Sequence, residues 1–131
     1  MYYVVCMDAT KIKSFTDLNA WKEGHNLALD IYRITKTFPS DEKFGLIDQM
    51  RRCSVSITSN IAEGFSRKSK KEKAQFFYTS LGSVTELQNQ LLLAKDIGYM
   101  QKSDFKLLAD KTVIASKLIN GLIKSSRLFN T

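Results

Sequence analysis

Small and apolar side chains recur at alternating intervals of three and four residues over the last fifth of the chain. The set comprises Phe105, Leu108, Thr112, Ala115, Ile119, Leu122, Ser126 and Phe129. This spacing puts one side chain per turn on a single helical face, whereas a strand would need a period of two. So long a stripe predicts a helix that buries this face against neighbouring helices.

Three earlier segments have the same period, and we predict helices over about residues 18–37, 41–64, 70–97 and 104–129. The inner face of the first helix is predicted to carry Ala20, Gly24, Leu27, Ile31, Ile34 and Phe38. The predicted apolar set of the second is Phe44, Ile47, Met50, Ile57 and Ile61. The third carries Phe77, Leu81, Val84, Leu87, Leu91 and Ala94.

Only short breaks separate these segments, at Pro39, at residues 65–68 and at residues 99–102. Short connections make consecutive helices antiparallel neighbours. The prediction is therefore an all-α, antiparallel, up-down four-helix bundle over residues 15–129, preceded by a flexible or extended tail over residues 1–14. Either Met1 or Met7 is consistent with the start of translation.

The chain carries a net charge of +7, which attracts polyanions such as nucleic acid, anionic lipid or an acidic protein. No run approaches the roughly 18 apolar residues of a membrane span. Binding to a membrane surface is disfavoured because the basic stripe of the fourth helix lacks an exposed apolar face beside it, so no membrane partner is expected. Cys6 and Cys53 are too few and too far apart for a disulfide framework or a zinc site. They fit a reducing, cytoplasmic location.

Residues for catalysis are scarce, because His25 is the single histidine of the chain. A di-metal site in a helical bundle needs Glu-x-x-His motifs on two helices. No second residue fixes a nucleophile and base together, and no glycine-rich phosphate loop is present. We therefore predict no enzyme activity, no cofactor and no metal.

Cations gather in two places that could contact phosphate. The turn cluster lies before and within the start of the third helix, where the helix dipole also favours anions; it consists of Arg67, Lys68, Lys70, Lys71 and Lys73. The fourth-helix stripe consists of Lys106, Lys117 and Lys124, with Lys102 and Arg127 on the same arc. Phe65 and Phe76 could add stacking surfaces if exposed. The alternative is that both groups are merely solvated surface.

One string carries a resemblance to a known family. Residues 49–64 read QMRRCSVSITSNIAEG, preceded by Phe15-x-x-Leu18-x-x-Trp21 and followed by GSVTELQ from Gly82 and by IGY from Ile97. Over about residues 14–127 the chain resembles the bacterial four-helix-bundle family of proteins encoded in intervening sequences of 23S ribosomal RNA genes. A related branch is the accessory variability determinant of diversity-generating retroelements.

The resemblance implies a four-helix bundle, assembly into a ring-like homopentamer, and a basic surface that contacts nucleic acid. It implies no enzyme activity. We therefore expect a non-enzymatic, basic, oligomeric module that binds nucleic acid, RNA rather than DNA, with little sequence readout. The alternative is a homo-oligomeric scaffold for protein interaction that has no nucleic-acid role.

A polar network is predicted between the second and third helices. Helical spacing puts Ser56, Asn60 and Glu63 on one face of the second helix, opposite Ser83 and Glu86 of the third. We expect Arg51 or Arg52 to pair with Glu86, and Asn60 and Ser83 to bond locally. Such groups can set helix register or a subunit seam, or bind a ligand or RNA through the arginines.

Overall fold

The residues that the structure describes form four α-helices, as the sequence predicts. The computed structural model describes residues 12–128, and their side chains through residue 126. After a 3-10 turn at Phe15–Asp17 come α1 (Asn19–Thr35), a 3-10 turn at Ser40–Glu42, α2 (Leu46–Ser66), α3 (Lys70–Asp96) and α4 (Lys102–Leu128). Most of the predicted tail, with both candidate start methionines and Cys6, lies outside the described residues, as does Phe129.

Each helix packs against two neighbours, α1 against α2 and α4, and α3 against α2 and α4. The predicted inner face of α1 is buried in full, and nearly all of the predicted set on α3 and α4 is buried or packed against the core. Because each fully buried aliphatic or aromatic side chain contributes about 1.5–3 kcal/mol, these interlocking stripes hold the bundle together.

The start of α2 differs from the prediction. Phe44 was expected in the core but is 89% exposed. The helix begins only at Leu46, because Gly45 has φ −112° and ψ −112° and so breaks the helical register between Phe44 and α2. Ser40 precedes two acidic residues, as a helix cap often does, but it opens a separate 3-10 turn and does not cap α2.

Glu42 does the capping instead, and it also ties the two connections at this end of the bundle together. Its Oε1 accepts a hydrogen bond from the Leu46 backbone N–H at 3.1 Å, and its Oε2 accepts one from the Tyr99 hydroxyl at 2.8 Å. The Leu46 N–H and then the Tyr99 hydroxyl lower the pKa of this carboxyl below its ordinary value. The ring of Tyr99 lies 5.4 Å from that of buried Phe38.

Glu42→Gln is expected to flatten the acid limb of the stability profile. Since folding lowers the pKa of Glu42, its charge stabilises the protein above the unfolded-state pKa of about 4.3, and that stability is lost as the pH falls through the folded-state pKa. Urea midpoints at intervals from neutral to acid pH should show the variant less stable than the wild type near pH 7, with the gap closing on acidification. Parallel profiles would contradict this assignment.

Candidate nucleic-acid interface

The turn cluster is positioned by a tight connection between α2 and α3. Ser69 is the N-cap of α3, its Oγ accepting the Glu72 backbone N–H at 3.0 Å while donating to Glu72 Oε1 at 3.3 Å. This is the serine half of a capping box. The cap fixes where α3 begins, and so which way the lysines of its first turn project.

Lys73 and Arg67 of the turn cluster are already engaged within the fold. Lys73 Nζ donates to the backbone oxygens of Phe65 at 2.7 Å and Gly64 at 3.4 Å, and so satisfies carbonyls at the end of α2. Burial, and then the charge of Lys70, lower the pKa of Lys73. Arg67 pairs with Glu63 at 2.8 Å.

The two phenylalanines predicted as stacking surfaces carry cations over their rings. The Arg67 guanidinium lies 4.8 Å from the centroid of the Phe76 ring, and Lys73 Nζ lies 5.4 Å from that of Phe65. Both phenylalanines are only partly exposed. These rings are therefore supports for the two cations, with one face each occupied.

Lys68 and Lys71 are the exposed lysines of the turn cluster, and neither forms an ion pair within residues 12–126. Lys70 is partly buried and lines a cleft of about 280 Å³ together with Lys73, Phe65 and two serines of α4, Ser125 and Ser126. This shared cleft places the C-terminal end of the fourth-helix stripe beside the turn cluster.

The stripe itself runs the length of α4. Lys106 pairs with Asp110 at 3.1 Å, whereas Lys117 and Lys124 are exposed and have no ion pair in the described part of the chain. From Lys106 to Lys124 the stripe spans about 27 Å, at about 1.5 Å per residue. Among the cations of the two groups, Lys68, Lys71 and Lys124 are exposed at the end of the bundle where α2 meets α3, while Lys117 is exposed midway along α4 and Lys102 at its opposite end.

A polar groove of about 280 Å³ lies between α2 and α3, lined by Gln49, Arg52, Cys53, Ser56, Ser83 and Glu86. The Ser56 and Ser83 hydroxyls are 2.8 Å apart, and Asn60 Nδ2 donates to the Ser56 backbone oxygen at 2.8 Å. The predicted local bonding of Asn60 and Ser83 is thus present, and it joins the two helices.

The predicted pair between an arginine and Glu86 is wrong. Arg51 donates from Nε to Thr35 Oγ1 at 3.0 Å and from a terminal nitrogen to the Tyr32 backbone oxygen at 3.2 Å, both on α1. Consecutive helical residues point about 100° apart, so Arg51 faces α1 while Arg52 faces the groove. Arg52 and Glu86 both line the groove, but Glu86 accepts from Gln90 Nε2 at 3.3 Å and has no ion pair in residues 12–126.

The thiol of Cys53, which lines this groove, is not activated as a nucleophile. Burial, and then the negative charge of Glu86, raise the pKa of the Cys53 thiol to about 12, and its Sγ donates to the Ser83 backbone oxygen at 3.0 Å. A thiol rather than a thiolate is present at neutral pH, and the thiolate is the reactive form. Among residues 12–128, no group of three or more His, Cys, Asp or Glu is placed to hold a metal ion.

None of the described helices is sufficiently long and apolar to span a membrane. The fold and the exposed cations together define a basic four-helix bundle with a polar groove between α2 and α3.

The chain belongs to the family described as 23S rRNA-intervening sequence protein, whose pattern matches residues 16–121. A similar solved structure is that of a protein with unknown function from the S23 ribosomal protein family of Bacteroides thetaiotaomicron. It shares 21% identity with this chain, at a TM-score of 0.74, and the match covers 80% of this chain and 95% of that one. At this identity the likeness shows the fold alone. A comparison with curated protein sequences finds no match.

Proposed function

We propose that this protein is a non-enzymatic, oligomeric module of the cytoplasm that binds nucleic acid through phosphate. The contacts are Lys68 and Lys71 of the turn cluster and Lys117 and Lys124 of α4. The observation that carries the proposal is that these four lysines are exposed and have no ion pair in the described chain, in a protein of net charge +7.

RNA is the favoured partner over DNA because the family description refers to a ribosomal RNA. Phosphate contacts position a protein on nucleic acid without reading its sequence. Phe65 and Phe76 are only partly exposed, and the exposure of each ring is reduced further by the cation over one face, so the turn cluster is poorly equipped to read bases. We therefore expect weak sequence preference and strong salt dependence.

Self-association is the second part of the proposal, and apolar side chains that stay exposed support it. Leu92 and Val113 are 46% and 45% exposed beside an apolar groove of about 270 Å³ between α3 and α4, which also touches Phe105. Exposed apolar side chains beside a groove can mark a contact with another protein chain. A ring of subunits, a pentamer by the family resemblance, would cover it and would repeat the lysine surface around the ring.

The test is binding of the wild type to a short RNA hairpin and to a DNA duplex of equal length, measured by fluorescence anisotropy from about 50 to 200 mM salt. If all four lysines contact phosphate, the logarithm of the affinity should fall with that of salt at a slope of about −3 to −4. Absence of binding at low salt, or binding that ignores salt, would contradict the proposal. Sedimentation equilibrium in the same buffer measures the subunit number. A defined oligomer without nucleic-acid binding would favour the protein scaffold.

A further inference from the structure

The outer face of α1 carries a second stripe with heptad spacing. Lys22, His25, Leu29, Tyr32 and Lys36 follow one another at intervals of three, four, three and four residues, and all five are exposed. Packing in the core does not account for a regular helical spacing of side chains on the exposed side of a helix. We call these five residues the α1 outer face; the two rings lie in its middle part and a lysine stands at each end.

The two rings of this face are held in place by residues beneath them. The His25 ring is stacked on that of Trp21, with centroids 4.6 Å apart and an angle of 12° between planes. Trp21 packs against the core and meets the edge of Phe15 at 5.6 Å between centroids. His25 therefore rests on an ordered aromatic base while remaining exposed.

Tyr32 is supported in a different way. Its ring is 41% exposed, and the Arg51 guanidinium lies 4.7 Å from its centroid. Arg51 is itself fixed by hydrogen bonds to Thr35 Oγ1 and the Tyr32 backbone oxygen. A cation fixed beside an exposed ring is the combination that single-strand-binding proteins use to hold a base and its phosphate.

Charge on and around this face favours an anionic partner. Lys22 and Lys36 have no ion pair in the described chain, and Asp30, on the flank of α1, is already paired with both Arg33 and Lys111. Asp17 lies close enough to Lys22 for the two charges to interact, and Glu23 lies on the same flank as Asp30. A second copy of the chain would bring the same cations to the contact, so a polyanion fits better than a homodimer.

We propose that the α1 outer face binds single-stranded nucleic acid, with unpaired bases stacked on His25 and Tyr32 and with Lys22, Lys36 and Arg51 at the phosphates. Seven residues separate the two rings, or about 10 Å along the helix, which is about three steps of a stacked strand. Bases in a duplex are stacked on one another and cannot reach these rings. The inference rests on the proposed function and adds a single-strand specificity to it.

The experiment compares His25→Ala and Tyr32→Ala with the wild type for binding to oligouridine and to duplex RNA. Each substitution should weaken oligouridine binding about fivefold or more and leave duplex binding unchanged. Tyr32→Phe and His25→Tyr, which keep a ring, should retain wild-type affinity. Tyr78→Ala is the matched control, because Tyr78 is 50% exposed on α3.

Trp21 is the single tryptophan of the chain and lies directly under His25, so its fluorescence reports on this face. Oligouridine should change the emission of the wild type and of Tyr78→Ala. Circular dichroism checks that all variants stay helical.

The outcomes separate this inference from the proposed function. If the wild type binds structured RNA in a salt-dependent way but both alanine variants bind oligouridine as the wild type does, the α1 inference is wrong and the proposed function stands. Equal losses for oligouridine and duplex RNA would also overturn it, since stacking cannot act on a duplex. If the wild type binds neither probe, the proposed function fails, and the α1 inference fails with it.

Discussion

Gly64→Ala is expected to lower the free energy of unfolding by about 1–3 kcal/mol, although alanine is the better helix former. A Cβ at this position would lie 2.7 Å from Cε1 and 2.9 Å from Cδ1 of Phe77, and 3.1 Å from Cβ of Phe76. Phe77 is only 4% exposed and packs in the core, so its ring cannot swing into solvent to make room. Either α2 and α3 must separate or the ring must leave its packed position.

Gly82→Ala provides the matched control within the neighbouring helix. Gly82 is exposed on α3, and a Cβ there would have no neighbour within 4 Å. This substitution should raise the free energy of unfolding by up to about 1 kcal/mol, because glycine is a poor helix residue. Urea unfolding of both variants should show that the same substitution lowers the free energy of unfolding at Gly64 and raises it at Gly82. If Gly64→Ala were as stable as Gly82→Ala, the close approach of α2 to Phe77 would not exist in solution.

The same contact gives a physical reason for part of the string that carries the family resemblance. Ile57 and Ile61 are fully buried, Ser56 bonds to Ser83, and Gly64 admits Phe77. Each of these features concerns the approach of α2 to α3. The string is therefore explained largely by helix packing, which agrees with the register-setting interpretation and requires no catalytic role.

Helical periodicity predicted the core because burial imposes that period directly on the sequence. It was wrong at Phe44, where the spacing to Ile47 continues across Gly45 although the helix does not. The spacing of apolar residues cannot reveal a break in the helix when the residues on either side of the break keep the helical interval. The cap supplied by Glu42 was missed for a related reason, since its second partner, Tyr99, is distant in sequence and meets it only through the packing of the bundle.

The sequence predicted where the cations lie, but not which of them already contact other groups within the fold. The pair Glu63–Arg67 has the i, i+4 spacing that would have identified it in advance. The contact of Lys73 with the carbonyls of Gly64 and Phe65 depends on the angle between α2 and α3, which no local pattern specifies. The α1 outer face was also missed, although its regular spacing could have been found by searching the exposed side of each helix for a second period.

Lys68→Glu/Lys71→Glu is expected to weaken binding of an RNA hairpin about a hundredfold at about 50 mM salt, and to reduce the salt slope by about two. Each lost phosphate contact removes about 0.9 from that slope, which corresponds to roughly tenfold at this salt concentration. Both lysines are exposed and remote from the core, so the thermal unfolding midpoint should stay close to that of the wild type.

A matched single reversal separates a local contact from a general effect of net charge. Lys43 is exposed at the opposite end of α2, and Lys43→Glu changes the net charge of the chain by the same amount as Lys68→Glu. We expect Lys68→Glu alone to cost about tenfold and Lys43→Glu to cost much less. Equal losses would mean that the RNA responds to the overall field of the protein and that the turn cluster is no binding site.

On α4, the same logic ranks the lysines by what they already contact. Lys106 is paired with Asp110, whereas Lys124 has no ion pair in the described chain and lies near the end of the bundle that carries the turn cluster. Lys124→Glu should therefore weaken hairpin binding more than Lys106→Glu does. A nucleic acid that contacts the turn cluster and continues along α4 meets Lys124 before Lys106. The reverse order of effects would therefore place the nucleic acid at the far end of the bundle, away from Lys68 and Lys71.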